Sequence, residues 1–265
     1  MEPLWEPGTR HGYHALVFGH LVGEILRRVT GRSLGTFFRT EVTEPLGLDF
    51  WIGLPEEHEP RVAPCTSADP PAPGQPVPQF YAVAMNDPTS IPGMIVWNSG
   101  GILLPGAVNS HQVHAAEIPS ANGITNARGL AGMYRPLALG GEFNGVRLVP
   151  GDAIPAMGAV SAAVAKDATM LVPARWATGF MKGADNHRLP PGQNDSVILS
   201  EEAFGHLGNG GSLGFADPKA RLSFGYAMNR LGGGIGLENR GQALVGAVYR
   251  TLGYRRGARG GMWYS

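Results

Sequence analysis

"FGHLGNGGSLGFADPKARLSFGYAMNR", residues 204–230, carries the alternation that decides the fold class. Leu222, Phe224, Tyr226 and Met228 alternate with Arg221, Ser223, Gly225 and Ala227, the period-two pattern of a strand with one buried face. Asp217-Pro218-Lys219-Ala220 reads as a turn, and "GSLGFA" and "AFGHLG" read as two further strands. The stretch therefore predicts an antiparallel meander. It also holds two competing chemical signatures. Gly210-Gly211-Ser212-Leu213-Gly214 spells G-x-S-x-G, the nucleophile elbow, which needs a sharp strand-to-helix turn followed in chain order by an acid and a histidine. Ser212 is followed by a turn and a strand, and His206 is the last histidine of the chain, so the glycines read as a bend. His206-Leu207-Gly208 is the other signature. It lies on a predicted strand, where Gly208 would let a ligand approach the backbone closely.

Outward from this stretch the period changes. "HALVFGHLVGEILRRVT", residues 14–30, places Phe18, Leu21, Val22, Ile25, Leu26 and Val29 on one apolar stripe of a helix, with Glu24 and Arg28 paired at i,i+4 and Gly31 as the stop. Gly19 and Gly23 each cost a helix about 1 kcal/mol, so close approach to another backbone is their expected reason. Ser33 reads as the cap of a second helix through about Val42, ended by Pro45. Eight prolines between Pro55 and Pro78 mark a long irregular loop. Asn126 opens a helical pattern broken at Pro136, Asn144-Gly145 signals a hairpin, and 152–165 reads as helix. "RWATGFMKG" adds a possible strand, and 237–252 reads as a closing helix. Helices precede a meander and one helix, an α+β order with an antiparallel sheet flanked by helices. The expected organisation is a mainly helical region at 1–170, strands and a closing helix at 171–253, and a flexible tail at 254–265.

Composition limits the function classes. The 265 residues are 43% hydrophobic and 16% charged, with 40 Gly and 22 Pro, enough apolar content for a sizeable core despite the many turns. Lys plus Arg equal Asp plus Glu at 21, and no basic stripe exists, which argues against nucleic acid. Arg255-Arg256 reads as a solvated end. The lone Cys65 excludes an internal disulfide and a cysteine metal cluster. "MEPLWEPG" has neither a basic nor an apolar region of a signal peptide, and no apolar run reaches ~18 residues, so the expectation is a cytoplasmic protein without a membrane span. His111-x-x-His114 lacks the glutamate and spacing of H-E-x-x-H, and His11 and His14 flank a turn as solvent-facing residues. No metal or other cofactor is expected.

"WEPGTRHGYHA", residues 5–15, sets Tyr13 just before the first helix, where a phenol can sit near a charged or reacting oxygen. Packing alone is the competing explanation for Tyr13, as half-burial is for His206. Three segments then act together. "PLWEPGTRHGYHALVFGHLVGEILRRVTGRSLGTFF" with "EPLGL", then "EIPSANGITNARGLAGMY", then the opening stretch resemble, in the same order, the serine β-lactamase and penicillin-binding-protein-like superfamily, and most closely its esterase branch, the family VIII carboxylesterases. The resemblance runs from about Pro3 to Leu252.

That resemblance implies a β-lactamase/transpeptidase-like fold and three catalytic elements: an S-x-x-K nucleophile, Y-x-N, and K-T-G or H-x-G. Tyr13-His14-Ala15 matches the second and His206-Leu207-Gly208 the third. It implies Tyr13 as general acid/base, His206 on the strand lining the site, and the Asn209 N–H as an oxyanion donor. Gly208, Asn209 and Trp5 are the candidate substrate- and oxyanion-contacting residues. Two departures stand out. Ala15 replaces the motif's Asn, which counts against β-lactamase activity. S-x-x-K is absent: the lysines are Lys166, Lys182 and Lys219, and none follows a Ser by three. The expectation is a chain that begins inside the domain, N-terminally incomplete, whose missing strands leave "RLSFGYAMN" as an exposed sheet edge open to homo-oligomer contacts. Loss of the serine nucleophile costs on the order of 10⁶ in kcat, so the chain is expected to be inactive alone. The implied substrate is a small ester or amide; a non-catalytic binding protein and a β-lactamase or D-Ala peptidase are the alternatives.

Overall fold

In the computed structural model, which describes residues 2–104 and 106–265, regular structure begins with α1 (Val17–Thr30). Gly31 closes it in the left-handed conformation, its N–H bonding the Arg27 carbonyl at 2.8 Å. The apolar stripe of α1 faces outward rather than into the core: Leu21, Ile25 and Val29 are 55, 64 and 80% exposed. The buried positions are Gly19 and Gly23. Gly19 N–H donates to Ser120 Oγ at 2.8 Å, and a Cβ there would come within 2.7 Å of the Ser120 backbone nitrogen. Close backbone approach therefore explains Gly19, and the helix packs through a seam set roughly a third of a turn away from its stripe.

Ser33 caps α2 (Leu34–Phe38) by accepting from Thr36 N–H. The helical run does not stop at Pro45. A π-helical turn at Arg39–Thr43 intervenes, with Glu44 N–H bonding Arg39 O, and Pro45 then falls in the first turn of α3 (Glu44–Leu46), where its missing N–H costs little. β1 (Phe50–Trp51) pairs antiparallel with β2 (Ile124–Thr125). Between them the Pro-rich loop forms one 3-10 stretch, Glu56–Arg61, and then α4 (Gln79–Asn86), α5 (Ile91–Trp97) and α6 (His111–Ala115). Phe80 of α4 packs with Val172 and Ile235, fastening the α4–α5 pair to the strand-bearing half.

Asn126 caps α7 (Ala127–Ala138), which carries Pro136 in its last turn instead of breaking there. Pro136, Leu137 and Ala138 are all buried, and their packing offsets one lost helix bond. The Asn144-Gly145 hairpin joins β3 (Glu142–Phe143) to β4 (Val146–Arg147), both turn residues having positive φ, 49° and 77°. Only the first half of 152–165 is helical, as α8 (Ala153–Gly158). Ala162–Val164 is β5, because it pairs with β6 (Ala174–Trp176).

β7 (Phe204–Leu207), β8 (Leu213–Asp217) and β9 (Leu222–Tyr226) form the expected meander, with His206 opposite Gly214 and Phe215 opposite Phe224. Met181 bridges both Trp176 and Gly205, which extends the sheet to β5–β6–Met181–β7–β8–β9. α7 lies on one face, close enough that a Cβ at Gly214 would strike Leu130 and Tyr134. α9 (Asn239–Thr251) covers the other, where Leu199, Leu213, Phe215, Val245 and Tyr249 make the main core. Among the described residues β9 pairs with β8 alone and so forms the sheet edge, as expected.

The tail at 254–265 differs from expectation. It is a docked hairpin, β10 (Arg255–Gly257) and β11 (Gly260–Tyr264), anchored by Trp263, which is 6% exposed and stacks on Tyr249 at 5.7 Å. Trp263 N–H donates to Leu199 O at 2.9 Å. Arg256 is not part of a solvated end either: it pairs with Asp185 at 2.7 Å. A large aromatic that reaches the core outweighs the flexibility of the surrounding glycines.

Candidate active site

Tyr13 enters the fold from an irregular segment, and the sheet supplies what it meets. Its ring stacks on Trp176 of β6 at 5.1 Å and 6°, and lies 5.7 Å from the imidazole of His206 on β7. Trp176 and His206 are 5.9 Å apart, so the three rings form one cluster across the β6–Met181–β7 part of the sheet. Tyr13 and His206, read from distant parts of the sequence, are thus brought together.

Trp176 is buried and Tyr13 and His206 are half-buried, and the titration of the cluster follows. Burial, and then the negative charge of Asp167, push the Tyr13 phenol above its ordinary value, so it keeps its proton at neutral pH. Burial lowers the His206 imidazole, which keeps it neutral there. His206 Nδ1 lies 2.6 Å from the Leu207 carbonyl, an acceptor only, so Nδ1 carries the hydrogen and Nε2 presents a lone pair. A protonated phenol beside a neutral imidazole with a free lone pair can hand a proton across a reacting group.

Gly208 and Asn209 lie on the turn that follows β7. Gly208 N–H donates to Ser212 O at 2.8 Å, and a side chain at Gly208 would collide with Ser212 Oγ. Close approach at Gly208 is therefore explained first by closure of the turn. Ser212 passes directly into β8 with no helix behind it, so no nucleophile elbow forms. The Asn209 side chain is engaged from outside the meander: Tyr81 of α4 donates its hydroxyl to Asn209 Oδ1 at 2.9 Å. Trp5 lies further back. It covers Gly12, where a Cβ would sit 2.9 Å from Trp5 Cη2, and donates to Arg10 O at 3.0 Å, so it supports the Tyr13 segment from behind.

Three contributors carry no signal in the sequence. Trp176 stands on a segment read only as a possible strand, and its indole nitrogen is buried without a hydrogen-bond partner. A cavity of about 40 Å³ beside it, lined by Met181, Leu207, Asp195 and Ile235 among others, has room for a water molecule. Tyr81 follows the Pro-rich loop. Asp167, fully buried, accepts from the Tyr13 backbone at 3.0 Å and the His11 ring at 2.9 Å, so His11 is tied inward rather than facing solvent. His114 is likewise buried on Glu59 at 2.8 Å. Lys182, nearly fully buried, donates to Glu201 O at 2.6 Å, and Lys219 pairs with Glu202 at 3.3 Å.

Comparisons with known proteins place the chain in a family. The sequence profile of the family described as Beta-lactamase matches residues 1–247. The chain is 34% identical over 231 residues to the Esterase/beta-lactamase LipL of Mycobacterium tuberculosis, covering 84% of this chain and 49% of that protein. A penicillin-binding protein homolog from Caulobacter crescentus superposes with a TM-score of 0.75 at 34% identity, over 95% of this chain and 61% of its own. A family VIII carboxylesterase does so with a TM-score of 0.71 at 35% identity, over 94% and 61%. The chain spans about half the length of the curated relative and three-fifths of these two structures. With the profile covering nearly the whole chain and esterases among its relatives, the chain belongs to the β-lactamase family.

Proposed function

We propose that this chain forms most of the acyl-transfer cleft of a carboxylesterase that acts on small esters through an acyl-serine intermediate. The observation that carries the reading is the convergence of Tyr13 and His206 on Trp176. In the proposed reaction a serine oxygen attacks the ester carbonyl and its proton passes to Tyr13 in its phenolate form, held beside the lysine ammonium of S-x-x-K. Tyr13 then returns a proton to the departing alcohol, and water attacks the acyl-serine by the reverse path. The raised phenol suits the donating half of that cycle. A lysine ammonium brought beside it would favour the phenolate and enable the accepting half. The Asn209 N–H is the proposed oxyanion donor, and Tyr81 steadies that residue.

None of the lysines of these 265 residues completes S-x-x-K, so the serine in this proposal comes from polypeptide outside them. A small-molecule ester or amide is the proposed partner, and the cytoplasm the proposed compartment. No helix among the described residues is long and apolar enough to cross a membrane.

The test is a chimera that joins this chain behind the S-x-x-K-bearing portion of the family VIII carboxylesterase. Turnover of p-nitrophenyl butyrate that falls about 10²–10⁴-fold in Tyr13→Phe supports the reading. Nitrocefin hydrolysis exceeding ester hydrolysis would favour a β-lactamase despite Ala15. A folded chimera with no turnover of either substrate would favour a non-catalytic protein.

A further inference from the structure

Tyr13 stands four residues before α1 on a segment with no regular structure, yet its ring holds a near-parallel stack on Trp176. Something must fix it. The fully buried carboxylate of Asp167 accepts from Tyr13 N–H through both oxygens, at 3.0 and 3.1 Å, and from His11 Nδ1 at 2.9 Å. It also accepts from the N–H groups of Thr169 and Met170 at 2.9 Å each. The clasp is reciprocal, because Ala168 N–H donates to His11 O at 3.0 Å. The turn that presents the carboxylate is tight: Asp167 N–H bonds Val172 O, Leu171 N–H bonds Asp167 O, and Leu171 is left-handed at φ 62°. A left-handed leucine costs on the order of 1 kcal/mol, and the charge-assisted bonds to Asp167 offset it.

We infer that Asp167 is the positioning residue for Tyr13: its buried carboxylate clamps residues 11–13 to the 167–172 turn and fixes the phenol against Trp176 and opposite His206. The clamp acts through the backbone, so the phenol oxygen stays free for proton transfer. The charge also reaches the ring, adding to burial in keeping the phenol protonated. The titratable groups around Tyr13 are His11 on its own segment, Asp167 on the turn and His206 on β7; Trp176 of β6 carries no charge. The inference deepens the reading of Tyr13 as the proton-transfer group and rests on it for its functional meaning. Its test reads geometry instead of turnover, so a chimera without activity would count against acyl transfer and leave the clamp standing.

The first measurement uses the unaltered chain. Tyr13 N–H has Asp167 as its partner, and the clamp requires its hydrogen exchange to be slowed at least about 100-fold relative to an unstructured peptide. Exchange at the unstructured rate overturns the inference. The second uses Asp167→Asn, with tyrosine ¹³Cζ titration and nuclear Overhauser contacts as readouts. Three changes are expected: protection of Tyr13 falls at least about tenfold, its ring contacts to Trp176 weaken, and its titration midpoint moves down toward the ordinary phenol range as the Asp167 charge is removed. Resonances of Tyr249 and Trp263 should stay in place, reporting an intact core. Asp217→Asn, which disturbs a different buried carboxylate held by Ser200 and Tyr249, should lower thermal stability without moving the Tyr13 readouts. A folded Asp167→Asn chain with Tyr13 protection, contacts and midpoint all unchanged overturns the clamp. If that variant fails to fold, exchange in the unaltered chain decides alone.

Discussion

His206 shows how one residue's environment sets both its chemistry and its contribution to folding. Burial lowers its pKa, so the folded chain disfavours the imidazolium that the unfolded chain forms below about 6.5. Unfolded chain then binds more protons than folded chain, and stability falls as pH drops through that window. Urea unfolding between pH 7.5 and 5 should show a loss of up to about 1.4 kcal/mol per pH unit from this group, and His206→Asn should remove that part of the slope. An unchanged slope would mean that burial does not hold the His206 imidazole neutral as described. At this scale the sequence was legible where local pattern and resemblance coincide, at Tyr13 and His206. Asp167 was not, because it lies 154 residues from the backbone it holds, and an acid between two alanine-rich stretches carries no signal of that contact. Trp176 was hidden for the same reason, since its partners come from β7 and from the segment before α1.

Among the elements, α1 separates the pattern of a helix from its packing. Its hydrophobic period predicts the helix correctly, but the buried contacts belong to the glycines. Gly19→Val should therefore cost about 1–3 kcal/mol by thermal or urea unfolding, since the new side chain meets Ser120 and Pro119. Ile25→Ser on the apolar stripe should change stability by less than about 0.5 kcal/mol. The opposite ranking would place the stripe in the core. Residues 152–165 read as one helix because an Ala- and Val-rich segment supports helix and strand alike, and only the pairing of β5 with β6 decides the second half. Pro45 and Pro136 read as stops, as a proline in a helix interior is. Here Pro45 falls in the first turn of α3 behind a π-helical turn, where its missing N–H costs little, and the burial of Pro136 and its neighbours offsets the one helix bond lost in α7. The Asn144-Gly145 turn and the caps at Ser33 and Asn126 were legible because their chemistry is local.

For the molecule as a whole, the sheet lies between α7 and α9, and the C-terminal hairpin completes the α9 side. Trp263 fills the space beside Tyr249, so Trp263→Ala should cost about 3–5 kcal/mol and loosen residues 254–265, measured by urea unfolding and amide exchange. A near-neutral result would restore the flexible tail. The outward stripe of α1 leaves an apolar surface open and β9 an unpaired strand edge, and sedimentation velocity should show concentration-dependent association that Ile25→Lys with Val29→Glu reduces. The antiparallel meander, the α+β order and the family resemblance were all readable; which faces the rest of the polypeptide leaves uncovered was not, because burial is a property of the assembled chain. The central claim is that these residues shape an acyl-transfer cleft without holding the group that attacks the carbonyl. Intact-mass spectrometry after incubation with a serine-directed fluorophosphonate tests it most directly. The account predicts an unmodified mass, whereas stoichiometric labelling at Ser212, or at any other serine of the chain, would contradict it.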